Sequence, residues 1–239
     1  FLELISDNIP HHKVIKNLMT EGRKSNSEKM KDVAYYYTIL YIQNALHEKD
    51  IKDELYATLL NLFEGNNFEE IGILYNCCKD SGMSADLLKE WQKILEVKGK
   101  EEIDNILKQE KTHIVENLME FKKKSDKVIQ TSFKDNSEFR IGQKKAFEVF
   151  INTEANKIAE FIAKYLDLHL RKSVKTKIIH TDEEMESIIQ DTLTIFKFSH
   201  AKDVFQAFYL KGLSTRLLHK RSLSNDAEKY VLIVLKREC

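Results

Sequence analysis

Pro10 is the only proline in 239 residues, and only seven glycines accompany it. Average usage would supply roughly 12 prolines and 17 glycines in a chain of this length. Sheet folds use those residues at their many turns. A chain so poor in them is pressed towards helices with short connections.

The apolar spacing agrees. Ile158, Phe161, Ile162, Tyr165 and Leu166 recur at i, i+3, i+4, i+7 and i+8, which lines one face of a helix. Met185, Ile188, Ile189 and Phe196 repeat the pattern, as do Ala227, Tyr230, Val231, Val234 and Leu235. Val204, Phe205, Phe208, Tyr209, Leu213 and Leu217 form a further stripe of this kind, predicting a buried face.

Helix ends are marked as well. Thr181–Glu184 and Asn225–Glu228 fit the capping box, in which a polar cap residue is followed three positions later by Glu; Asn66–Glu69 and Asp135–Glu138 fit a looser form. Gly65, Gly82 and Gly99 each follow an apolar-periodic run and are expected to close helices in the left-handed conformation. Gly142 and Gly212 fall inside helical patterns, where each costs about 1 kcal/mol relative to Ala; close approach of a neighbouring helix is the expected reason. The strongest strand candidate, Tyr35 to Gln43 (YYYTILYIQ), lacks a turn signal and a partner strand, so it reads as a buried helix. The signals sum to roughly eleven or twelve helices with connections of about two to six residues. Such a chain is a bundle or an array of helical repeats, and no short-period repeat of the tetratricopeptide or ankyrin kind is visible.

Lys+Arg and Asp+Glu each number 38, so no global field draws nucleic acid or an anionic membrane. No apolar run approaches the length of about 20 residues that crosses a bilayer, and Glu3 and Asp7 interrupt the opening segment, so no signal peptide is read. Cys77, Cys78 and Cys239 offer no disulfide framework, which points to a reducing compartment, cytosol or nucleus. The chain opens without Met and stops within a helical pattern, and so reads as part of something longer.

Catalytic chemistry is not in sight. No phosphate-binding loop, dinucleotide fingerprint, nucleophile elbow or zinc-helix motif occurs. His11 and His12 are adjacent, about 100° apart on a helix, and make a poor chelate. Cys77 and Cys78 follow Ile71, Ile73, Leu74 and Tyr75 in a helical run and read as packing residues. No catalytic residue, metal site or cofactor is expected. Two basic runs remain. Phe121 to Lys127 (FKKKSDK) reads as a solvated helix face. Leu170 to Lys177 (LRKSVKTK) carries Arg171, Lys172, Lys175 and Lys177 with no acid among them; it suits a helix end or a docking patch for an acidic partner. It lacks the interleaved aromatics of a single-strand nucleic-acid site, so direct nucleic-acid binding is not expected.

One long segment is more specific than any of these. Phe196 to Cys239 contains Lys202–Phe205 (KDVF), Phe208–Tyr209, Leu213 with Arg216–Leu218, Ser222 and Ser224, Asp226–Glu228, and Leu235, Lys236 and Cys239. This order closely resembles the signature of the cullins, scaffolds of multi-subunit ubiquitin ligases. Upstream, AFEVFIN (Ala146 to Asn152) and IAEFIAKYLDLHL (Ile158 to Leu170) resemble the cullin segment joining the last stalk repeat to the following bundle, and Leu59 to Trp91 is a fainter match. The wording of Phe196–Lys211 leans towards the cullin-4 class. Ser214 and Thr215 stand where the family usually has Ala-Lys, and Gly212 is unusual in that helix.

The resemblance implies an all-α fold: an elongated helical-repeat stalk running into the start of a four-helix bundle. Residues 1–152 would be the last N-terminal repeat with preceding helices, and 153–239 the first bundle helices. It implies a non-catalytic scaffold that spaces a substrate adaptor from a RING-box protein and its ubiquitin-conjugating enzyme, with those partners held mostly by regions outside this chain and with no membrane role. Within the signature, Phe205, Phe208, Tyr209, Leu213 and Leu217 would lock the bundle, and Lys202, Asp203 and Arg216 would fix helix ends and neighbouring elements. A cullin-related scaffold of the anaphase-promoting complex and a helical-rod tethering or transport factor stand as alternatives.

Overall fold

The computed structural model describes residues 50–108, 114–172 and 181–238. Among them the chain forms nine α-helices, one 3-10 turn and no strand. In order these are α1 (Asp50–Glu64), α2 (Phe68–Asp80), α3 (Ser84–Lys108), α4 (Ile114–Thr131), α5 (Ser137–Ile151), the 3-10 turn Asn152–Glu154, α6 (Ala155–Leu170), α7 (Asp182–Phe196), α8 (Lys202–Leu218) and α9 (Asn225–Glu238). The all-α expectation is met. Tyr35–Gln43, His11 and His12 lie outside the described residues.

Some glycines close helices and others make room for neighbours. After α2, Gly82 has φ 74°. Its N–H donates to Lys79 O at 3.2 Å, and that of Met83 reaches back to Cys78 O at 2.7 Å, which satisfies the last carbonyls in a Schellman motif. After α1 the left-handed residue is Asn66, at φ 57°, rather than Gly65. Asn tolerates that conformation because its short polar side chain hydrogen-bonds locally. Gly99 ends nothing. It lies within α3, where a Cβ would fall 2.5 Å from the ring of Phe150, so the absent side chain makes room for a phenylalanine of α5. Gly142, in α5, is a close approach as expected: a Cβ there would lie 2.7 Å from both Leu88 Cδ1 and Gln92 Nε2.

Contacts divide the chain into two units, Phe1–Leu95 with Ser125–Gln143, and Glu96–Lys124 with Lys144–Cys239. In the first unit Trp91 is fully buried and meets Phe63 and Phe133 edge-on, each with ring centroids 5.3 Å away. Phe133 packs at 4.3 Å on Phe139, and Tyr75 closes the cluster at 5.5 Å from Phe139. Cys77 and Cys78 are buried beside it, as packing residues. The Ser132 hydroxyl donates to Phe68 O at 2.6 Å, which ties the end of α4 to the start of α2.

In the second unit Phe147 contacts Phe121, Phe150 and Phe198 at 5.6, 4.8 and 5.2 Å. The predicted faces of α6 and α7 bury Ile158, Ile162, Tyr165, Leu166, Met185 and Ile189. Helix α6 packs along α8 and against α7, and α9 packs on α7. The α7 capping box is complete: Glu184 N–H donates to Thr181 Oγ1, and Thr181 N–H donates to Glu184 Oε2. Of the FKKKSDK run in α4 only Lys123 and Lys127 are exposed; Phe121, Lys122, Lys124 and Asp126 are half-buried and Ser125 is buried, so the run is not the solvated face expected of it. Lys123 pairs with Asp191 at 2.6 Å.

Candidate functional site

Helix α8, Lys202–Leu218, carries most of the signature residues. Lys202 Nζ donates to Phe196 O at 2.7 Å and lies 3.7 Å over the Phe196 ring, which places its charge at the end of α7. Asp203 is exposed in the first turn of α8, where a negative charge favours the helix N-terminus. Phe205 is buried, 4.2 Å from Phe196 and stacked at 5.7 Å on Tyr209, which is buried too.

The rest of the stripe needs correction. Leu213 is only half-buried, while Phe208 and Leu217 are 37% and 51% exposed. Helix α8 is apolar on more than one face, with Leu210 and Leu218 also exposed, so spacing alone could not tell which face turns inward. The inward face, which holds Phe205 and Tyr209, also carries a charge.

That charge is Arg216, 0% exposed. Its Nε and Nη2 donate to Glu228 Oε1 and Oε2 at 2.7 and 2.8 Å, a bidentate pair; its Nη1 donates to Asp167 Oδ1 at 2.5 Å. Asp167 Oδ2 in turn accepts from Arg171 Nη2 at 2.5 Å, and the Ser222 hydroxyl donates to Glu228 Oε1 at 2.9 Å. One chain of charge-assisted bonds therefore runs from α6 through α8 to α9 and the turn before it. Burial alone would depress the Arg216 pKa; the bonds and charges of Glu228 and Asp167 outweigh it, so the guanidinium stays charged. Burial, then the Glu228 carboxylate, lift the Tyr209 hydroxyl well above the usual phenol range, against a smaller opposing pull from Arg216.

Sequence reasoning assigned Arg216 to fixing helix ends and neighbouring elements; it joins elements, but from inside the core. Glu228 is not the capping-box residue that its spacing from Asn225 suggests. It is 4% exposed, and α9 is capped by Ser224, whose Oγ accepts from Asp226 and Ala227 N–H at 3.2 and 3.3 Å. Gly212 also finds its reason here. A Cβ on it would stand 2.8 Å from Asp167 Oδ1 and 3.2 Å from Arg216 Nη1, inside the ion pair.

The second candidate site, the basic run, begins at the same network. Lys172 N–H donates to Arg221 O at 2.7 Å and Leu223 N–H to Leu170 O at 2.9 Å, forming an isolated antiparallel bridge at Arg171 and Ser222. The α8 end that presents this turn is a Schellman motif with Lys220 left-handed at φ 53°: Arg221 N–H donates to Arg216 O at 2.7 Å, and Lys220 N–H to Leu217 O at 3.2 Å. Exposed Lys172 thus lies beside a second basic stretch, His219, Lys220 and Arg221, all exposed. Sequence separation hid this pairing. Arg171 is partly spent on Asp167, while Lys175 and Lys177 lie outside the described residues. No group of three or more His, Cys, Asp or Glu side chains among the described residues could hold a metal ion. No helix of the described residues is long and apolar enough to cross a membrane.

With this geometry in place, comparison with known proteins is decisive. The family description "Cullin alpha solenoid domain" matches residues 13–239. The chain belongs to the cullin family. Its cullin relatives include cullin-4 of Dictyostelium discoideum, 33% identical over 178 residues, which is 74% of this chain and 22% of that protein. Cullin-4A of Mus musculus is 38% identical over 182 residues, 76% of this chain and 23% of the relative. Cullin-4A of Homo sapiens is 38% identical over 180 residues, 75% and 23% respectively. These relatives carry the class name towards which the Phe196–Lys211 wording leans. The chain spans less than a quarter of the length of each of these three cullins.

Proposed function

We propose that the parent protein is the rigid scaffold subunit of a cullin-RING ubiquitin ligase, and that this chain is a spacing element within it. The observation that carries the reading is the family match across residues 13–239, which includes the signature helix and the Arg216 network built on it. Residues 1–152 then make up the last stalk repeat with preceding helices, and residues 153–239 the first helices of the bundle. The parent holds a substrate adaptor at one end and a RING-box protein, with its conjugating enzyme, at the other. Transfer gains from raised effective concentration and orientation. In this reading no side chain of the segment acts as acid, base or nucleophile, and the protein works in the cytosol or nucleus.

The basic run takes one partner role. Arg171, Lys172, Lys175 and Lys177 offer cations to an acidic tail such as that of a conjugating enzyme, which would raise its rate of encounter in a salt-dependent way. Reversing these charges in the assembled ligase lowers chain formation and flattens its salt dependence; unchanged rates at every ionic strength exclude the docking role.

The scaffold reading is tested by co-purifying the full-length parent with a RING-box protein, then measuring ubiquitin discharge from a charged conjugating enzyme. A stoichiometric complex that accelerates discharge supports it. A folded, monodisperse parent that binds no RING-box protein overturns it.

A further inference from the structure

Asn152 ends the AFEVFIN segment, at the point where α5 gives way to α6. Its carboxamide makes three hydrogen bonds. Nδ2 donates to Glu148 O at 2.6 Å and to Phe198 O at 2.8 Å, and Oδ1 accepts the N–H of His200 at 2.7 Å. Both amide hydrogens are therefore used, one on the end of α5 and one on the loop between α7 and α8. The same loop is gripped from its other side by the carbonyl, so Asn152 reads a donor and an acceptor two residues apart.

The position matters because the backbone changes course there. The 3-10 turn Asn152–Glu154 is the whole connection between α5 and α6, and Glu154, at φ −128° and ψ 41°, leaves the helical region. A 3-10 interruption between two helices is a natural swivel. Around Asn152 the apolar contacts are already committed. Phe150 fills the space left by Gly99, and Phe147 lies 5.2 Å from Phe198, whose carbonyl Asn152 holds. These rings press the loop against α5 but are non-directional; the amide supplies direction.

We infer that Asn152 is a positioning residue: it converts the swivel at Asn152–Glu154 into a fixed joint, setting the direction in which α6, and α8 packed along it, leaves α5. The significance of the joint rests on the scaffold reading, in which the proposed boundary between stalk repeat and bundle falls at residues 152–153. Its existence does not, and the test is made on the chain without any ligase partner.

Nitroxides placed at the exposed positions Lys145 and Lys164, as Lys145→Cys and Lys164→Cys with Cys239→Ser, report the distance between α5 and α6 by pulsed electron resonance; Cys77 and Cys78 are buried. The native sequence gives one narrow distance distribution. Asn152→Asp keeps the size of the side chain but loses both donors and sets a carboxylate against two carbonyls, so the distribution broadens or shifts. Asn152→Ala, which adds no charge, does the same. An unchanged distribution in either folded variant overturns the inference, whatever the ligase assay shows.

Discussion

Arg216 and Glu228 form a two-bond ion pair, at 2.7 and 2.8 Å, from which water is excluded on both sides. Two buried charges are costly to desolvate, and such a pair is weak evidence of net stability; removing one partner is another matter, because it strands the other charge. Here the stranded group would be Glu228 with one hydroxyl, or Arg216 with Asp167 alone.

Glu228→Ala is therefore expected to destabilise the chain by about 3–5 kcal/mol, and Arg216→Met by a similar amount. The double variant should lose less than the sum, as measured in a denaturant double-mutant cycle. Additive losses would mean that the two side chains act independently.

The two phenylalanines of α8 should part company. Phe205→Ala removes a ring that is 3% exposed and should cost about 3–5 kcal/mol. Phe208→Ala, at a site 37% exposed, should cost under about 1 kcal/mol. Equal shifts in denaturation midpoint would return Phe208 to the core.

Gly99→Ala tests whether the glycine of α3 is there for space. Helix propensity favours Ala by about 1 kcal/mol. Overpacking against the Phe150 ring, 2.5 Å from the new Cβ, should reverse that sign, leaving a net loss of about 1–3 kcal/mol. A gain in stability would show that the ring moves aside freely.

Lys220 holds a left-handed backbone at φ 53° without being glycine. Lys220→Gly relieves a cost of about 1–2 kcal/mol, partly offset by the freer unfolded chain, so stability should rise by about 0.5–1 kcal/mol. Thermal melting decides the sign.

Alkali should weaken the fold through two buried groups. Burial, with the neighbouring Cys77 and Asp86 charges, raises the Cys78 thiol from 9.0 to about 12. Burial, with Glu116 and Asp191, raises the Tyr165 hydroxyl from 10.0 to about 12. A group held above its unfolded pKa keeps its proton in the folded state longer than in the unfolded one. Its contribution is whole below the unfolded value and disappears as pH rises towards the folded value. Stability attributable to these groups should thus be flat up to about pH 9 and fall between about 9 and 12. Cys78 should also resist thiol reagents at pH 8 until denaturant is added; rapid labelling of the folded chain would contradict its burial.

Much of this was legible in the residues. Scarce proline and glycine point to helices, and the spacing in α6, α7 and α9 picks out side chains that do turn inward, Ile158, Ile162, Met185, Ile189, Val231 and Val234 among them, although Leu168, Leu232 and Ile233 stay exposed. The Thr181 capping box was legible because both partners lie within one turn. Most of the failures share a cause: the deciding partner is distant in sequence. Glu228 fits a capping box by spacing, yet Arg216, twelve residues away, takes it into the core. Gly99 resembles a helix end until Phe150 is placed beside it. Lys172 and Arg221 look like separate charges until two backbone hydrogen bonds join them. At Asn66 the miss was one position, between two residues that both tolerate the left-handed turn.

The most direct test of the scaffold account varies the amount of full-length parent in a reconstituted transfer reaction. Adaptor-bound substrate, RING-box protein and charged conjugating enzyme are held constant, and modified substrate is measured. A scaffold brings two ends together, so transfer should rise as the parent approaches its partners in amount, then fall in excess as adaptor and RING-box protein occupy separate copies. A rise to a plateau that further parent never lowers, or no dependence on the parent at all, would contradict it.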